Sequence, residues 1–250
     1  IFGGTHMNIF IAGQDIRNFG ARLCRDYSVS GPTLTPTLRQ GRNDSAFHLL
    51  GRDYGLITVT LPLDFYGKNV PEIAKNMAHL RGLCREMVEV SLGDGFRYRL
   101  CLSALGEETW TEDVLCSQTF TLRGQRLGDP ITVSGKPPLT IFNPGTWEKT
   151  ACKLTLTGFR PTANIATISL KSATSDAPYL TWKISKSSEY SGETLVLDGV
   201  EKCNSYGAAA LPCGTMEWTE YPWLGAGEGR LEVSGASVEA AEVAFEPAYL

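Results

Sequence analysis

Apolar and polar residues alternate along most of this chain, as they do in β-strands with one buried and one solvent-facing side. The longest such stretch is Leu56–Tyr66, in which the apolar residues occupy alternate positions. Pro62 lies on the other face and cannot donate to a ladder, so we expect a free edge or a bulge there. A further alternation from Val88 to Leu92 reaches Gly93-Asp94-Gly95, a typical hairpin turn, and returns from Phe96 to Leu102.

One segment, Asn69–Met87, has a helical period instead. Its apolar residues are spaced by three or four positions, at Ile73, Met77, Leu80, Cys84 and Met87. Asn69 can cap the first turn, and Glu72 can reach back to the Asn69 amide. Pro71 falls where its missing N–H costs nothing. We therefore expect one helix that lays one apolar face on a sheet.

The composition changes between Gly128 and Pro138, where three prolines and two glycines fall within eleven residues. We place a domain boundary near Ser134, which gives an N-terminal domain of residues 7–133 and a C-terminal domain of residues 134–250. Residues 1–6 are interpreted as a vector remnant before Met7. Strand-like runs follow in the second half: Cys152–Thr157, Ile165–Leu170, Tyr179–Ile184, Thr194–Leu197, Arg230–Val233 and Val238–Phe245. Short strands at this spacing predict an antiparallel β-sandwich.

Composition and charge narrow the class of protein. The chain is 42% hydrophobic and 20% charged, and it has no apolar run of the roughly 20 residues that span a bilayer. Residues 1–133 carry 14 basic and 14 acidic side chains, and residues 134–250 carry 9 and 13. Neither half has the basic surface of a nucleic-acid-binding protein. The seven cysteines form no CxxC pair, which favours reduced thiols over a zinc site; a Cys203–Cys213 disulfide stays open.

The residues that carry catalytic chemistry are sparse. His6 falls in the vector segment, His48 stands in an apolar run, and His79 is on the polar helix face. The chain contains no HExxH or GxSxG motif. Four carboxylates near Trp110 resemble a glycosidase pair superficially, but a solvated loop explains them better: Glu107, Glu108, Glu112 and Asp113. We predict no enzymatic activity, no cofactor and no metal.

Three aromatic residues are a candidate contact site. Trp218, Tyr221 and Trp223 lie within six residues beside Pro222 and Gly225. Exposed aromatics on a β-sandwich can stack on sugar rings, so a glycan site is one interpretation. Packing at the mouth of the sandwich, or in a partner interface, is the interpretation that we favour.

The order and spacing of several short motifs resemble the distal tail protein family of long-tailed, non-contractile (siphovirus-type) phages or prophages. The resemblance extends over nearly all of residues 7–250. The segments that carry it are Leu49–Gly55 before the long strand, the strand–helix–hairpin that ends in Phe96–Leu100, Asn143–Thr146 leading into Cys152–Gly158, Gly192–Asp198, Trp223–Gly227 and Val243–Leu250.

The resemblance implies a mainly β fold, with a ring-forming N-terminal β-domain that packs one helix and an outward-pointing, galectin-like C-terminal sandwich. It also implies a structural protein of the virion tail, made in the bacterial host cytoplasm. This protein would form a homohexameric hub ring between tail tube and baseplate. Its partners would be further copies of itself, the tail tube, tail-tip proteins and receptor-binding proteins. DNA would pass through the lumen without specific binding, and there would be no membrane contact.

The sequence leaves alternatives open for the function and for one segment of the N-terminal domain. A carbohydrate-binding module that engages cell-wall glycans through the C-terminal sandwich is the second hypothesis, and a glycan-processing enzyme is the third. A Thr-rich tract, Ser28–Asn43, contains Gly31, Pro32 and Pro36. We expect it to be either an extended arm that becomes ordered against a neighbouring subunit or a plain surface loop.

Overall fold

A computed structural model describes residues 8–32, 34–40, 47–175, 177–187, 190–211 and 215–250. The chain divides into two compact units: unit 1 runs to Leu127 and includes Leu250, and unit 2 is Gly128–Tyr249. The boundary expected near Ser134 lies inside a strand, Ile131–Gly135, which pairs within unit 2. The predicted vector segment, residues 1–6, lies outside the described residues.

Unit 1 is a large antiparallel sheet with one α-helix. Its strands are β1 (Phe10–Ile11), β2 (Gln14–Asp15), β3 (Ala21–Leu23), β4 (Ser28–Ser30), β5 (Leu34–Gln40), β6 (Phe47–Tyr54), β7 (Ile57–Tyr66), β8 (Val88–Ser91), β9 (Arg97–Leu105), β10 (Thr109–Thr111) and β11 (Leu115–Leu127). Two 3-10 turns, Ile16–Phe19 and Glu112–Val114, and the helix α1 (Val70–Leu83) complete the unit. The sheet order is β2-β1-β8-β9-β11-β7-β3, with β4 also on β7 and β10 on β11.

The alternation in β7 matches its burial. The five predicted inward residues are fully buried: Ile57, Val59, Leu61, Leu63 and Phe65. The expected free edge at Pro62 is not found, because β3 and β4 cover this side of β7; the alternative, a local irregularity of the pairing, is what occurs, since four residues (24–27) lie opposite two residues of β7 (61–62). The Pro62 carbonyl accepts a hydrogen bond from the Cys24 N–H at 3.0 Å, in the gap between the two short strands. The missing N–H of Pro62 points the same way, so it falls where the neighbouring strand is interrupted.

The helix begins at the predicted cap, with a modified bonding pattern. The Asn69 side chain accepts a hydrogen bond from the Glu72 N–H at 3.0 Å. The Glu72 carboxylate, expected on the Asn69 amide, accepts instead from the Lys68 N–H at 2.7 Å. The helix ends at Leu83, so Met87 lies beyond it and is 52% exposed. The other four residues of the predicted stripe are buried in the core of unit 1.

The Ser28–Asn43 tract is not a plain loop in its described part. Ser28–Ser30 is strand β4, and Leu34–Gln40 is strand β5, which pairs antiparallel with β6. The two strands β5 and β6 form a separate two-stranded sheet. Residues 33 and 41–43 of the tract lie outside the described residues.

Unit 2 is an antiparallel β-sandwich. One sheet contains β12 (Ile131–Gly135), β14 (Thr150–Thr157), β18 (Leu195–Asp198), β19 (Cys203–Tyr206), β20 (Ala209–Ala210), β22 (Trp223–Leu224) and β25 (Ala240–Phe245). The other has the order β13 (Leu139–Asn143), β23 (Gly227–Ser234), β16 (Ile165–Ser172), β17 (Pro178–Ser185) and β21 (Met216–Trp218). Three short strands complete the unit: β15 (Arg160–Pro161), β24 (Ala236–Ser237) and β26 (Ala248–Tyr249).

Both sheets of unit 2 contribute alternate residues to one core, in which Trp182 is the largest fully buried side chain. All six strands predicted in this half are present, within a few residues of the expected ends. The predicted fold class, a mainly β protein with one packed helix and a C-terminal antiparallel sandwich, is therefore confirmed. No helix in the described ranges has the length and apolar character needed to cross a membrane.

The turn after β13 shows why the Asn143-Pro144-Gly145 motif has its sequence. The buried Asn143 side chain donates to Thr150 Oγ1 and the Gly225 carbonyl, and it accepts from the Gly145 N–H at 3.0 Å. A Cβ at Gly145 would lie 2.7 Å from the Ala248 carbonyl oxygen. Only glycine fits that approach, so Asn143 and Gly145 together fix the turn after β13.

Gly124 and Gly82 provide a matched test of unit 1. A Cβ at Gly124, in the middle of β11, would lie 2.0 Å from the Arg99 carbonyl oxygen, whereas a Cβ at Gly82 meets nothing within 4 Å. Gly124→Ala should lower the free energy of unfolding by about 2–3 kcal/mol because the β9 backbone must move. Gly82→Ala, on the exposed helix surface, should raise it by about 0.8 kcal/mol. Urea unfolding followed by circular dichroism measures both, and equal effects would contradict the packing described for β11.

Asp198 makes unit 2 sensitive to acid. It is 3% exposed, and its Oδ1 accepts the Val200 and Glu201 N–H groups at 2.9 Å while Lys153 lies 3.3 Å from Oδ2. Burial alone would raise the pKa of Asp198, but these partners outweigh burial and hold the pKa below its usual range.

Because the folded-state pKa is depressed, Asp198 stabilises the fold at neutral pH, and this contribution is lost as the pH falls through that pKa. Asp198→Asn should lower the free energy of unfolding at pH 7 by about 1–3 kcal/mol. It should also flatten the decline of stability between neutral and acidic pH. Urea titrations at a series of pH values measure this, and an unchanged acid slope in the variant would refute the assignment.

Candidate functional site

The three predicted aromatic residues lie at the edge of the sandwich, in two separate groups. Trp218 is on the edge strand β21, opposite Trp182 of β17, and Trp223 is on β22, which pairs with the start of β14. Tyr221 lies between them in sequence and packs edge-on against Trp218, with ring centroids 4.5 Å apart. The rings therefore do not form one continuous platform.

Trp223 is enclosed by its neighbours. Tyr179 stacks on its ring, with centroids 4.7 Å apart and planes at 26°, and the Lys149 ammonium also lies 4.7 Å from the ring centroid. The indole Nε1 donates to Glu220 Oε2 at 2.6 Å. Trp223 is thus held by a stacked ring, a cation and a hydrogen bond from within unit 2, which favours a structural role over sugar stacking.

The charges around Trp223 are mutually satisfied. Both Glu220 oxygens accept from Lys149 Nζ at 3.1 Å. The hydrogen bond from Trp223, followed by the one from Lys149, lowers the pKa of Glu220 below its usual range. Burial raises the pKa of the stacked Tyr179 to about 12. The group is an ordered network with one anion and one cation, and it brings Tyr179 and Lys149 to a site for which the sequence indicated only Trp223.

The other group is open to solvent. Trp218 is 39% exposed, and Tyr221 makes an edge-on contact with its ring. The Lys202 ammonium lies 5.4 Å from the Tyr221 ring centroid and comes from a turn where Lys202 adopts a positive φ of 55°. Trp218 is therefore the member of the predicted trio that retains an accessible indole surface.

Glu108, one of the four predicted carboxylates, does not have the raised pKa of a glycosidase general acid. Arg81 on α1 donates from Nη2 to Glu108 Oε1 at 2.6 Å and to Gln118 Oε1 at 2.6 Å. The hydrogen bond from Arg81 is the main cause that lowers the pKa of Glu108, whereas a general acid needs a raised pKa. Trp110 Nε1 donates to the same carboxylate at 3.3 Å. The arrangement ties the helix to β10 and β11. The Glu112 side chain lies outside the described residues.

The histidines and cysteines form no metal centre in the part of the chain that is described, where no group of three or more candidate ligands occurs. His79 is exposed and makes an edge contact with Phe19. The His48 side chain and His6 lie outside the described residues. Cys213 does too, so the open Cys203–Cys213 alternative stays untested; Cys203 is exposed.

A charged cleft in unit 1 was not expected from the sequence. It has a volume of about 840 Å³, and its lining includes four arginines and four aspartates. Most of these groups have partners inside the protein: Asp94 accepts from the Tyr98 hydroxyl at 2.5 Å, and Arg22 lies 4.0 Å over the Tyr66 ring. The lining residues come from segments far apart in the chain, so no local sequence pattern predicts the cleft.

Comparison with known proteins shows which of them share this fold. No protein-family model and no curated protein matches the chain at a significant level. Among solved structures, the fold is that of phage tail hub and baseplate components. The SPP1 Dit protein, described as a paradigm of the hub adsorption apparatus in phages that infect Gram-positive bacteria, matches with a TM-score of 0.68 at 12% identity, over 98% of this chain and 99% of that one.

Chains of the phage P2 baseplate in its activated conformation match less closely. With calcium the TM-score is 0.54 at 14% identity, over 94% of this chain and 92% of the other; with strontium it is 0.53 at 14% identity, over 93% and 92%. The predicted resemblance to a distal tail protein is therefore confirmed at the level of fold.

The two tryptophans should respond differently to truncation. Trp223→Ala removes the ring that stacks on Tyr179 and the hydrogen bond from Nε1 to Glu220, so it should cost about 2–3 kcal/mol of unfolding free energy. Trp218→Ala should cost about 1 kcal/mol or less because the ring is partly exposed. Urea unfolding monitored by circular dichroism compares the two, and the reverse order would contradict the geometry.

Proposed function

We propose that this chain is a structural protein of a phage or prophage tail, which forms the hub ring between the tail tube and the baseplate or tip. The observation that carries the proposal is the match to SPP1 Dit, which covers both units of this chain and nearly the whole of the other protein. A likeness confined to the sandwich would fit many sugar-binding and adhesion proteins. A likeness that also includes the helix-bearing sheet of unit 1 is more specific.

The β5–β6 hairpin supports ring assembly through unit 1. A lone two-stranded hairpin is marginally stable in water and normally packs on another surface. In the described part of unit 1 the two strands pair with each other and do not join the main sheet. A neighbouring subunit supplies a docking surface, and repeating the contact around a rotation axis closes a ring. The number six comes from the family resemblance alone.

The remaining partners follow from the hub role. Unit 1 faces the tail tube and the tip, and unit 2 serves as a peripheral platform for tail-tip and receptor-binding proteins. The balanced charge of residues 1–133 suits a lumen through which DNA passes, because a strongly basic wall would retain DNA by counterion release. The protein is made in the host cytoplasm and functions in the virion tail, and it does not bind a membrane.

We infer that the chain has no catalytic role in this assembly. One of the four carboxylates that the sequence offers for catalysis, Glu108, is paired with Arg81 and hydrogen-bonded to Trp110, so it serves as a structural anion. Its lowered pKa suits that role. Turnover of a cell-wall glycan that disappears in Glu108→Gln, with the fold intact, would overturn this inference.

Trp218 supports a second candidate function, glycan binding. Its accessible indole surface at the sandwich edge suits stacking on a sugar ring, as a carbohydrate-binding module would use it. Titration with soluble cell-wall glycan fragments distinguishes the two functions. A hub without glycan binding gives no heat of binding, whereas binding that is lost in Trp218→Ala and kept in Trp223→Ala would favour the module.

Removing the hairpin should disassemble the ring. Leu34 and Tyr54 are paired, so the ends of the hairpin lie side by side, and a short Gly-Ser linker can replace residues 34–54 without opening unit 1. We expect the full chain to give closed rings in negative-stain electron microscopy at high concentration. The hairpin-less variant should give separate subunits with the same circular dichroism melting temperature for unit 2.

Two controls make this test specific. Substituting an equally long Gly-Ser tract for residues 34–54 keeps the chain length and removes only the paired strands. A Trp218→Ala variant alters unit 2 and should leave the rings intact. Rings that persist without the hairpin would show that the proposed contact is wrong, and a strict monomer for the unaltered chain would count against the hub itself.

A further inference from the structure

Strand β13 (Leu139–Asn143) is an open edge of the five-stranded sheet in unit 2. It pairs with β23 along its whole length, and no described strand pairs with its other side. Pro138 precedes the strand and Pro144 follows it. Since proline cannot donate to a ladder, any additional strand on this edge is confined to the five residues between the two prolines.

The backbone groups that face this open edge can be identified from the register. The Glu228 carbonyl accepts from the Ala173 N–H, so Glu228 and Arg230 of β23 direct their backbone groups toward β16. The alternate residues of β23 therefore bond to β13, and they lie opposite Leu139, Ile141 and Asn143. The N–H and C=O groups of Thr140 and Phe142 consequently point away from β23, toward the open edge. They have no hydrogen-bond partner among the described residues.

The same edge carries an exposed aromatic residue and no protecting feature. Phe142 is 62% exposed, the largest value among the exposed large hydrophobic side chains of the described residues. Soluble proteins usually protect edge strands with charges, internal prolines or bulges. Between Pro138 and Pro144 the sequence Leu-Thr-Ile-Phe-Asn is uncharged, and its pairing with β23 is regular. Such an edge is suited to the addition of another extended strand.

We propose that a second copy of this chain occupies this edge, with β13 of one copy antiparallel to β13 of the other about a two-fold axis at Ile141. In this register Thr140 lies opposite the other copy's Phe142, and Phe142 lies opposite its Thr140. Both are outward-pointing residues, so the two pairs form four N–H···O bonds. Pro138 then lies opposite Pro144, just outside the ladder. The strand is complementary to itself.

The side chains favour the same register. The two Phe142 rings become diagonal neighbours on the outer face of the joined sheet, at a spacing that aromatic rings bridge. No charged residue occurs in the paired segment, so no like charges meet. The contact is isologous, whereas the contacts within a rotational ring are heterologous, and the proposal therefore stands or falls independently of the hub ring.

Residue-resolved amide hydrogen exchange of the full chain tests the proposal. At low protein concentration the Thr140 and Phe142 amides should exchange fast. The Leu139, Ile141 and Asn143 amides should be protected because they bond to β23. At high concentration the Thr140 and Phe142 amides should become protected as well. Assembly of a ring through unit 1 would not produce this alternation of protected and newly protected amides within one strand.

A charged variant and a matched control complete the test. Phe142→Lys places two ammonium groups near each other across the seam and should weaken the self-association by about tenfold or more in sedimentation. Ile165→Lys alters a residue that is 55% exposed on β16, which is not an edge strand, and should leave the association unchanged. Protection of the Ile141 amide in Phe142→Lys confirms that β13 still pairs with β23.

Three results would overturn the proposal. The first is exchange at Thr140 and Phe142 that does not depend on concentration. The second is an equal effect of Phe142→Lys and Ile165→Lys on self-association. The third is protection of these amides only after another tail protein is added, which would assign the edge to that partner's strand.

Discussion

Unit 1 depends on the pairing of the long strand β11 with β7 on one side and β9 on the other. The ten-residue ladder from Leu115–Gly124 to Ile57–Tyr66 sets the alternation of buried residues on both strands. It also sets the position of the helix, whose buried stripe shares one core with Phe65 and Phe120. Gly124 lets the β9 backbone approach β11 closely, where a Cβ would not fit. The Arg81 contact with Gln118 then holds the helix to the same strand.

This strand order also determines which strands and sheet edges have no partner within the described part of the chain. Once β3 and β4 cover β7, the side that contains Pro62 is no longer an edge, so the proposed ring assembly needs another feature. We assign it to the β5–β6 hairpin, since its strands join no other sheet in the described part of the chain. In unit 2 the corresponding feature is the β13 edge, where the backbone groups of Thr140 and Phe142 have no partner among the described residues.

The sequence predicted those parts of the fold that rest on local periodicity. The alternation of β7, the helix stripe from Ile73 to Cys84 and the six strands of the second half each reflect burial of one face. Features set by distant residues could not be predicted: the charged cleft, for example, unites residues from separate strands. The aromatic trio was found as a sequence cluster, but Tyr179 and Lys149, which enclose Trp223, become its neighbours only through strand pairing.

The proposed hub function requires that this chain forms a closed ring, which native mass spectrometry of the full chain over a range of concentrations can detect. A closed ring predicts one dominant oligomer, six subunits by the family resemblance, which grows at the expense of the monomer. An even-numbered species at twice that mass is compatible, because β13 edges would join two rings. A continuous series of oligomer sizes, or a monomer that persists at the highest concentration, would contradict the closed ring.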